Sequence, residues 1–477
     1  MISLPQPPSG GRGGRNYGWW LDQALADEGD VGARRLTGEV GADIAIVGGG
    51  YVGLWAAIRI AEAEPGASVA VLEADLCGSG ASGRNGGFAF GWWPKIETLV
   101  ERAGDVEALR LGRAAETAVG DLGEFCEAEG IDAAYRRGGW LWTATSAAQA
   151  GAWRGAIHEC ARLGVAPFEE LDPDDVARRT GSPIHVGGAY EREAATVNPA
   201  RLARGLLQVA RRRGVEVFER SPVRRLDADA GLLLAEAGRL RAEQIVLATN
   251  AWIAGLPELR RAVLPLSSDV VATKPMPAQL TTSGWTGGES ISDSRLMVNY
   301  YRTTDDGRIV FGKGGGGLGC HGRFPGGFDR HERRAARVAA ELHRLCPASR
   351  GVPIAAAWGG AVDRSSDGLP FFGRLRGSGV VYGVGFSGNG VVPSLLAGHI
   401  LCSLALGRDD DWARSALAQG IPGKFPPEPV RTPGGVLVRE AVRRKESLED
   451  SGRRPSQVVQ RLAGLAPSGF FKVNSGG

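Results

Sequence analysis

The sequence predicts an α/β protein with two domains. One is a doubly wound, mainly parallel-sheet domain assembled from separated segments, and the other is an α+β domain containing an antiparallel sheet. Three observations predict this. Strand–helix–strand signals occur near the start, in the middle and near the end of the chain. A long helical stretch separates the first two of them. Residues 262–313 alternate polar and apolar side chains with frequent turn residues, the pattern of an antiparallel sheet. At 477 residues the chain has room for two to three domains of roughly 150 residues.

The elements follow in order. Residues 1–16 are rich in Pro, Gly and Arg and read as a mobile arm, and 17–37 as a short helix and connector. The apolar run 43–47 is the first strand. A glycine turn leads into a helix over 51–64, which Pro65 and Gly66 stop. Residues 68–73 form the next strand. Residues 96–180 are mainly helical, with Leu109, Ala115, Val119, Leu122 and Phe125 at three- and four-residue spacings, interrupted by a strand at 139–143. A helix at 198–213, a strand at 215–218 and the strand pieces AGLLLAEAGRLRA and QIVLAT come next. A helix at 331–345, a strand at 379–385 and a helix at 392–406 follow. The tail carries PPEP, two charged helices and the frayed end PSGFFKVNSGG. The expected division is an N-terminal arm (1–37), a nucleotide domain (38–95, 196–261 and 355–410), a substrate domain (96–195 and 262–354) and a C-terminal helical extension (411–477).

Composition narrows the function classes. Lys and Arg number 56 against 53 Asp and Glu, a net charge of +3, which is too balanced to suggest a nucleic-acid partner. The six Cys form no CxxC pair and no zinc-spaced cluster with His, so no metal is expected. Isolated thiols suit a reducing compartment. No secretory h-region or membrane-length apolar run is present, and the expectation is a cytoplasmic protein without a membrane partner.

The string DIAIVGGGYVGLWAAI places Gly48, Gly50 and Gly53 as G-x-G-x-x-G between a strand and a helix. Gly48 permits the tight turn, Gly50 lets a pyrophosphate approach the backbone, and Gly53 lets the helix pack on the sheet. The helix N-terminus supplies N–H groups and partial positive charge for phosphates. Glu73 follows about 20 residues later, where a carboxylate accepts hydrogen bonds from ribose hydroxyls. This is a Rossmann-type dinucleotide signature. The acid disfavours NADP and leaves NAD and FAD open.

VLEADLCGSGASGRNGG (71–87), VNPARLARGLLQVARRRGVEVFERSPV, IVLATNAW and DGLPFFGRL…GVVYGVGFSGNGVVPSLLAGHIL (367–401) resemble the D-amino-acid oxidase family. That family includes glycine, sarcosine and γ-glutamylputrescine oxidases. The resemblance spans roughly 38–410 in the family's order, and it implies FAD. By position it implies that Ser79, Ala81, Ser82, Arg84, Asn85, Gly86 and Gly87 surround the pyrophosphate and isoalloxazine, that Val223 meets the adenine, and that Ala248, Thr249 and Trp252 line the cofactor. Gly385, Ser387, Gly388, Asn389, Gly390 and Val391 would face the flavin pyrimidine edge. YGWWLDQALADEGD, EADLCGSGASGRNGG and the PPEPVRTPGG tail also look like the subgroup described as aminophosphonate oxidoreductases.

Departures from the family bear on substrate. Amino-acid oxidases of the family clamp the α-carboxylate with an Arg shortly after a Trp-Gly segment. In AWGGAVDRSSDGLP that place holds Val362, with Arg364 two residues on. An amine lacking an α-carboxylate becomes the expected substrate, with Arg302, Lys313, Arg323 and Arg364 as candidate partners for a more distant anion. Trp358, Tyr300, Tyr301, Phe386, Trp92 and Trp93 are candidates for a pocket wall, and His321 for a pocket neighbour. Gly360 stands where sarcosine-oxidase relatives carry a flavin-linked Cys. No His occurs between 43 and 113, where dimethylglycine-type relatives attach theirs, so the FAD is expected to be non-covalent. The Lys associated with oxygen activation maps near Val310, with Lys313 close but out of register.

The resemblance implies oxidation of an amine C–N bond by hydride transfer to flavin. The resulting imine hydrolyses to a carbonyl compound, and O2 or another acceptor reoxidises the flavin. Arg302, Trp358, Arg364 and Asn389 are the candidate catalytic residues. The alternatives are an aminophosphonate-specific enzyme, a dehydrogenase using a non-oxygen acceptor, and a non-catalytic flavoprotein. Oligomeric state is open.

Overall fold

The computed structural model describes residues 1–4, 16–29, 32–320, 323, 329 and 331–467. Its first sheet has nine strands drawn from distant parts of the chain. Gly38–Val47 runs parallel to Gly238–Leu247 on one side and to Val69–Leu72 on the other, and Val69–Leu72 runs parallel to Glu216–Phe218. Val381–Val384 adds a further parallel strand beside Gly238–Leu247. Ala45, Ile46, Ala70 and Val71 are fully covered, which is why these strands read as unbroken apolar runs. Tyr51–Ala63 and Pro393–Ala405 pack together, with Gly398 against Trp55. A Cβ there would sit 2.8 Å from the Trp55 Cβ.

The second sheet has eight strands, with Ile354–Arg364 at one edge, then Leu264–Thr273, Ile309–Lys313 and Asn299–Thr303. Its pairings are antiparallel apart from Trp140–Thr143 beside Ser290–Asp293. The α/β class with an antiparallel second sheet is therefore the observed architecture.

Some details differ from, or sharpen, the expectation from sequence. Ile354–Arg364 pairs along its length with Leu264–Thr273. Residues 354–364 therefore belong to the second sheet, although the sequence division places everything from 355 with the nucleotide domain. The Ala- and Gly-rich run AAAWGG carries too little side-chain alternation to announce a strand. Pro277–Ser283 is a short helix within the stretch expected to be all strand, started by Pro277 and ended by the left-handed Gly284. Ile96–Ala128 spans 33 residues, broken by non-helical Gly104.

The N-terminal segment is not an arm where it is described. Ile2–Ser3 pairs with Arg225–Asp227, and Leu4 is buried. Trp19–Glu28 sets Trp20 and Leu21 against Val270, Val310 and Trp358 of the second sheet. Residues 5–15, His321 and the tail from 468 lie outside the described residues. The two charged C-terminal helices are Arg431–Asp450 and Gln457–Ala463. Among the described residues, no helix is long and apolar enough to cross a membrane, and no cluster of His, Cys, Asp and Glu could hold a metal.

Candidate active site

The glycine turn sits between Gly38–Val47 and the helix Tyr51–Ala63. Gly48 has φ of 113°, and a Cβ there would lie 2.4 Å from the Ala248 carbonyl oxygen, so only glycine fits. A Cβ on Gly53 would meet the Gly48 oxygen at 1.9 Å, which fixes the close approach of helix and turn. Gly50 is the helix N-cap and offers no side-chain cap, while Tyr51 N–H donates to Ser82 Oγ at 2.8 Å. The open helix start, with its partial positive charge, is suited to an anion. The Glu73 carboxylate accepts from Gly49 N–H at 2.7 Å and from Asp75 N–H at 2.9 Å. It therefore holds the turn as well as facing the cleft, a role that its spacing alone does not suggest.

The cleft has two joined chambers. The first, ≈ 1340 Å³, is lined by Gly48, Gly50, Glu73, Ser79, Val223, Ala248, Thr249 and Trp252. The second, ≈ 1330 Å³, is lined by Asn85, Gly86, Ser387, Gly388, Asn389, Gly390, Val391, Val362 and Arg364. Ala81, Ser82, Arg84 and Phe386 line both. The chambers adjoin along shared residues, so the pair forms one extended cleft with a place for a dinucleotide and a substrate. Gly53, Gly87 and Gly385 line neither chamber and act through the backbone. A Cβ on Gly87 would lie 2.0 Å from the Val197 oxygen, and one on Gly385 2.9 Å from the Phe371 ring.

Two observations suit FAD. Asn250 Oδ1 and Asn389 Oδ1 are buried at the cleft without a hydrogen-bond partner among the described residues. Such acceptors suit donors like ribityl hydroxyls or the isoalloxazine N–H. The turn 385–388 is also preset. Asp363 Oδ2 accepts from Gly385 N–H at 2.7 Å and Phe386 N–H at 3.2 Å. Burial nevertheless raises its carboxyl to about 6. Asp363 was not among the residues expected from the sequence, which offers no motif for it. Asp363→Ala is expected to weaken FAD binding by about 1.5–3 kcal/mol, the range for hydrogen bonds to a charged group, as read by fluorescence titration of the apoprotein.

The candidate catalytic residues separate. Arg302 lines neither chamber. It is buried, donates to the carbonyls of Gly86 at 2.8 Å and Val197 at 2.5 Å, and stacks over Trp20. Its guanidinium is committed to backbone, so the anion-binding role expected for it fails. Trp358 is also a structural support rather than a pocket wall. It is buried, and its Nε1 donates to the Arg84 carbonyl at 2.8 Å. Arg84 in turn donates to the carbonyls of Ser79, Gly359 and Asn16, tying three segments together. Lys313 donates to Asn299 Oδ1 at 3.0 Å and lines neither chamber, and Arg323 is exposed. Tyr301 is core, bonded to His185, and Trp93 is buried away from the chambers, whereas Tyr300 and Phe386 do line the second chamber. Asn389 lines it as well and donates to the Gly91 carbonyl at 3.0 Å.

Arg364, a candidate partner for a distant anion, lines the second chamber. Gly360, Val362 and Arg364 alternate onto one face of their strand, opposite Ser268 and Leu266 of the neighbour, and all five line the second chamber. Arg364 is 7% exposed, and burial draws its guanidinium down to about 10. It donates to the Ser387 carbonyl at 3.3 Å. The nearby Asp367 pairs with Arg102 at 3.2 Å, and its charge also acts on Arg364.

Residues 43–404 match the family of FAD dependent oxidoreductases known as DAO. The chain belongs to that family. Its cofactor is FAD. The flavoenzyme is 30% identical over 79% of its length to a probable oxidoreductase, OrdL, of Rhizobium meliloti, of which the match covers 86%. It is 29% identical over 78% of its length to the γ-glutamylputrescine oxidoreductase of Escherichia coli, of which the match covers 85%. Its fold is that of glycine oxidase from Geobacillus kaustophilus, with a TM-score of 0.66 over 80% of this chain and 100% of that one at 22% identity.

Proposed function

We propose that this flavoenzyme oxidises the C–N bond of an amine whose anionic group lies away from the reacting carbon. The observation that carries the reading is the second chamber's paired strand face, with apolar Val362 where relatives clamp an α-carboxylate and buried Arg364 two residues further on. Two residues along a strand displace the cation by roughly 7 Å. The buried guanidinium, which donates to the Ser387 carbonyl and feels the Asp367 carboxylate, can also pair with a ligand anion beside it.

Bound FAD supplies two-electron acceptance: hydride leaves the carbon bearing nitrogen, and electrons pass onward to O2 or another acceptor. The residues of the chain orient the amine and exclude water. No His or Cys lines the second chamber among the described residues. Burial holds the Tyr300 hydroxyl up at about 12, and it hydrogen-bonds with Ser268 Oγ at 2.8 Å. Asp363 is engaged by the 385–386 amides. With no base poised, the amine binds deprotonated, and the imine hydrolyses to a carbonyl compound. Stoichiometric assay of carbonyl product per flavin reduced tests this. Reduction without any carbonyl product would refute C–N oxidation, and peroxide formed under air identifies O2 as an acceptor.

Gly360 lines the second chamber where a linking Cys would stand. Acid or heat denaturation is therefore expected to release intact FAD into the supernatant. Flavin remaining with the precipitated chain would contradict non-covalent binding. Glu73→Ala is expected to cost about 1–3 kcal/mol in FAD affinity through lost charged hydrogen bonds, measured by the same titration as for Asp363.

A further inference from the structure

We propose that the C-terminal helices Arg431–Asp450 and Gln457–Ala463 shape the substrate chamber, and that Glu446 is a positioning residue for its outer wall. This rests on the reading of the second chamber as the substrate site.

The family match ends at residue 404, so both helices are additions to the matched fold. Two turns form the outer wall of the second chamber. One carries Leu296 and Val298, and the other carries Gly314 and Gly315. The long helix grips both from outside. Glu446 Oε1 accepts from the Met297 N–H at 3.0 Å, directly between the two lining residues. Arg439 Nη1 donates to the Gly316 carbonyl at 2.9 Å, and Arg443 Nη2 to the Gly315 carbonyl at 3.4 Å. Met297 is buried against Ala441, Val442 and Ala463, so the wall and the helices share one small apolar core. Arg295, on the same turn, pairs with Asp450 on the helix.

Glu446 is itself buried, and burial raises its carboxyl to about 7 against the pull of Lys313. A buried carboxylate spent on a loop amide is costly unless the loop position matters to the fold or the site. The cost here is met on a turn whose neighbours line the chamber. Displacement of this wall alters how the remote part of a substrate fits. The glycine turn and Glu73 line the first chamber instead. The expected signature is weaker substrate binding with the chemical step preserved.

The test compares holoenzyme carrying Glu446→Ala, Glu446→Gln or Arg439→Ala with Arg443→Ala, by hydrogen exchange without substrate and by anaerobic flavin reduction with the amine that reduces wild type best. Glu446→Ala is expected to speed exchange across 294–299. It should raise the substrate Kd about tenfold, the scale of one lost buried hydrogen bond. The limiting reduction rate should stay within about twofold and flavin content should be unchanged, the pattern of lost binding rather than lost transition-state contact. Glu446→Gln retains an acceptor and is expected to restore both values. The double Arg variant removes half-exposed groups, tolerates folding if Glu446→Ala does not, and should loosen 314–317 with the same rise in Kd. Unchanged exchange in both loops, unchanged Kd despite faster exchange, or a fall in limiting rate matching the fall in affinity would overturn the proposal. If no amine reduces the wild-type flavin, the substrate reading fails, and the exchange result still decides whether the helices brace these turns.

Discussion

Gly50→Val is expected to purify colourless, with FAD content near zero and no recovery on dialysis against excess FAD. A Cβ at Gly50 would lie 2.9 Å from Ser82 Oγ, the acceptor for the Tyr51 N–H. Valine adds two methyl groups beyond that Cβ, in the space where phosphate meets the helix start. Both consequences act on one spot: the anion loses its approach, and the hydroxyl that holds the first helical amide is pushed away. The fold should survive, because the Gly50 backbone is extended, with φ of −86°, which valine adopts readily. Circular dichroism and flavin absorbance together read the result. Stoichiometric FAD in a folded Gly50→Val protein would show that this turn is not the phosphate site.

The second large effect concerns Arg364. Arg364→Leu is expected to weaken binding of an anionic amine by about 100-fold, the scale of a charged hydrogen-bond pair worth roughly 3 kcal/mol. A neutral amine of similar size should bind within about threefold of wild type, because leucine keeps the wall apolar. The guanidinium donates to the Ser387 carbonyl at 3.3 Å and feels the Asp367 carboxylate, which keeps its ion pair with Arg102 in the variant. Lys95, buried nearby, has its ammonium pulled down first by burial and then by Arg364. Anaerobic titration of flavin absorbance with paired amines measures the contrast. Equal loss for both amines would place the role of Arg364 in the 385–388 turn, through Ser387, rather than in anion recognition.

The parts of this protein legible in the sequence are those with local causes. Gly48 and Gly53 are required by contacts within a few residues or at the end of one neighbouring strand, and the spacing of the motif conveys it. The order of the sheet segments followed from the family motifs. What was not legible depends on long-range partners. Arg302 looked like a free cation in a turn-rich strand, but it reaches Gly86, 216 residues away, and Val197. Trp358 looked like a pocket aromatic, but it caps Arg84. Residues 354–364 and the N-terminal Ile2–Ser3 owe their strand state to partners rather than to their own alternation. Asp363 and Glu446 carry no motif, and only their contacts reveal that one sets the 385–387 turn and the other a chamber wall.

The central claim is that the second chamber admits amines with a remote anion and discriminates against simple α-amino acids. Anaerobic mixing of the holoenzyme with glycine, D-alanine, a neutral alkylamine, 2-aminoethylphosphonate and γ-glutamylputrescine, followed by flavin absorbance, tests it directly. The account predicts rapid bleaching by a remote-anion amine, slower bleaching by the neutral amine, and little or none by glycine or D-alanine. Efficient bleaching by glycine or D-alanine, unaffected by Arg364→Leu, would contradict it.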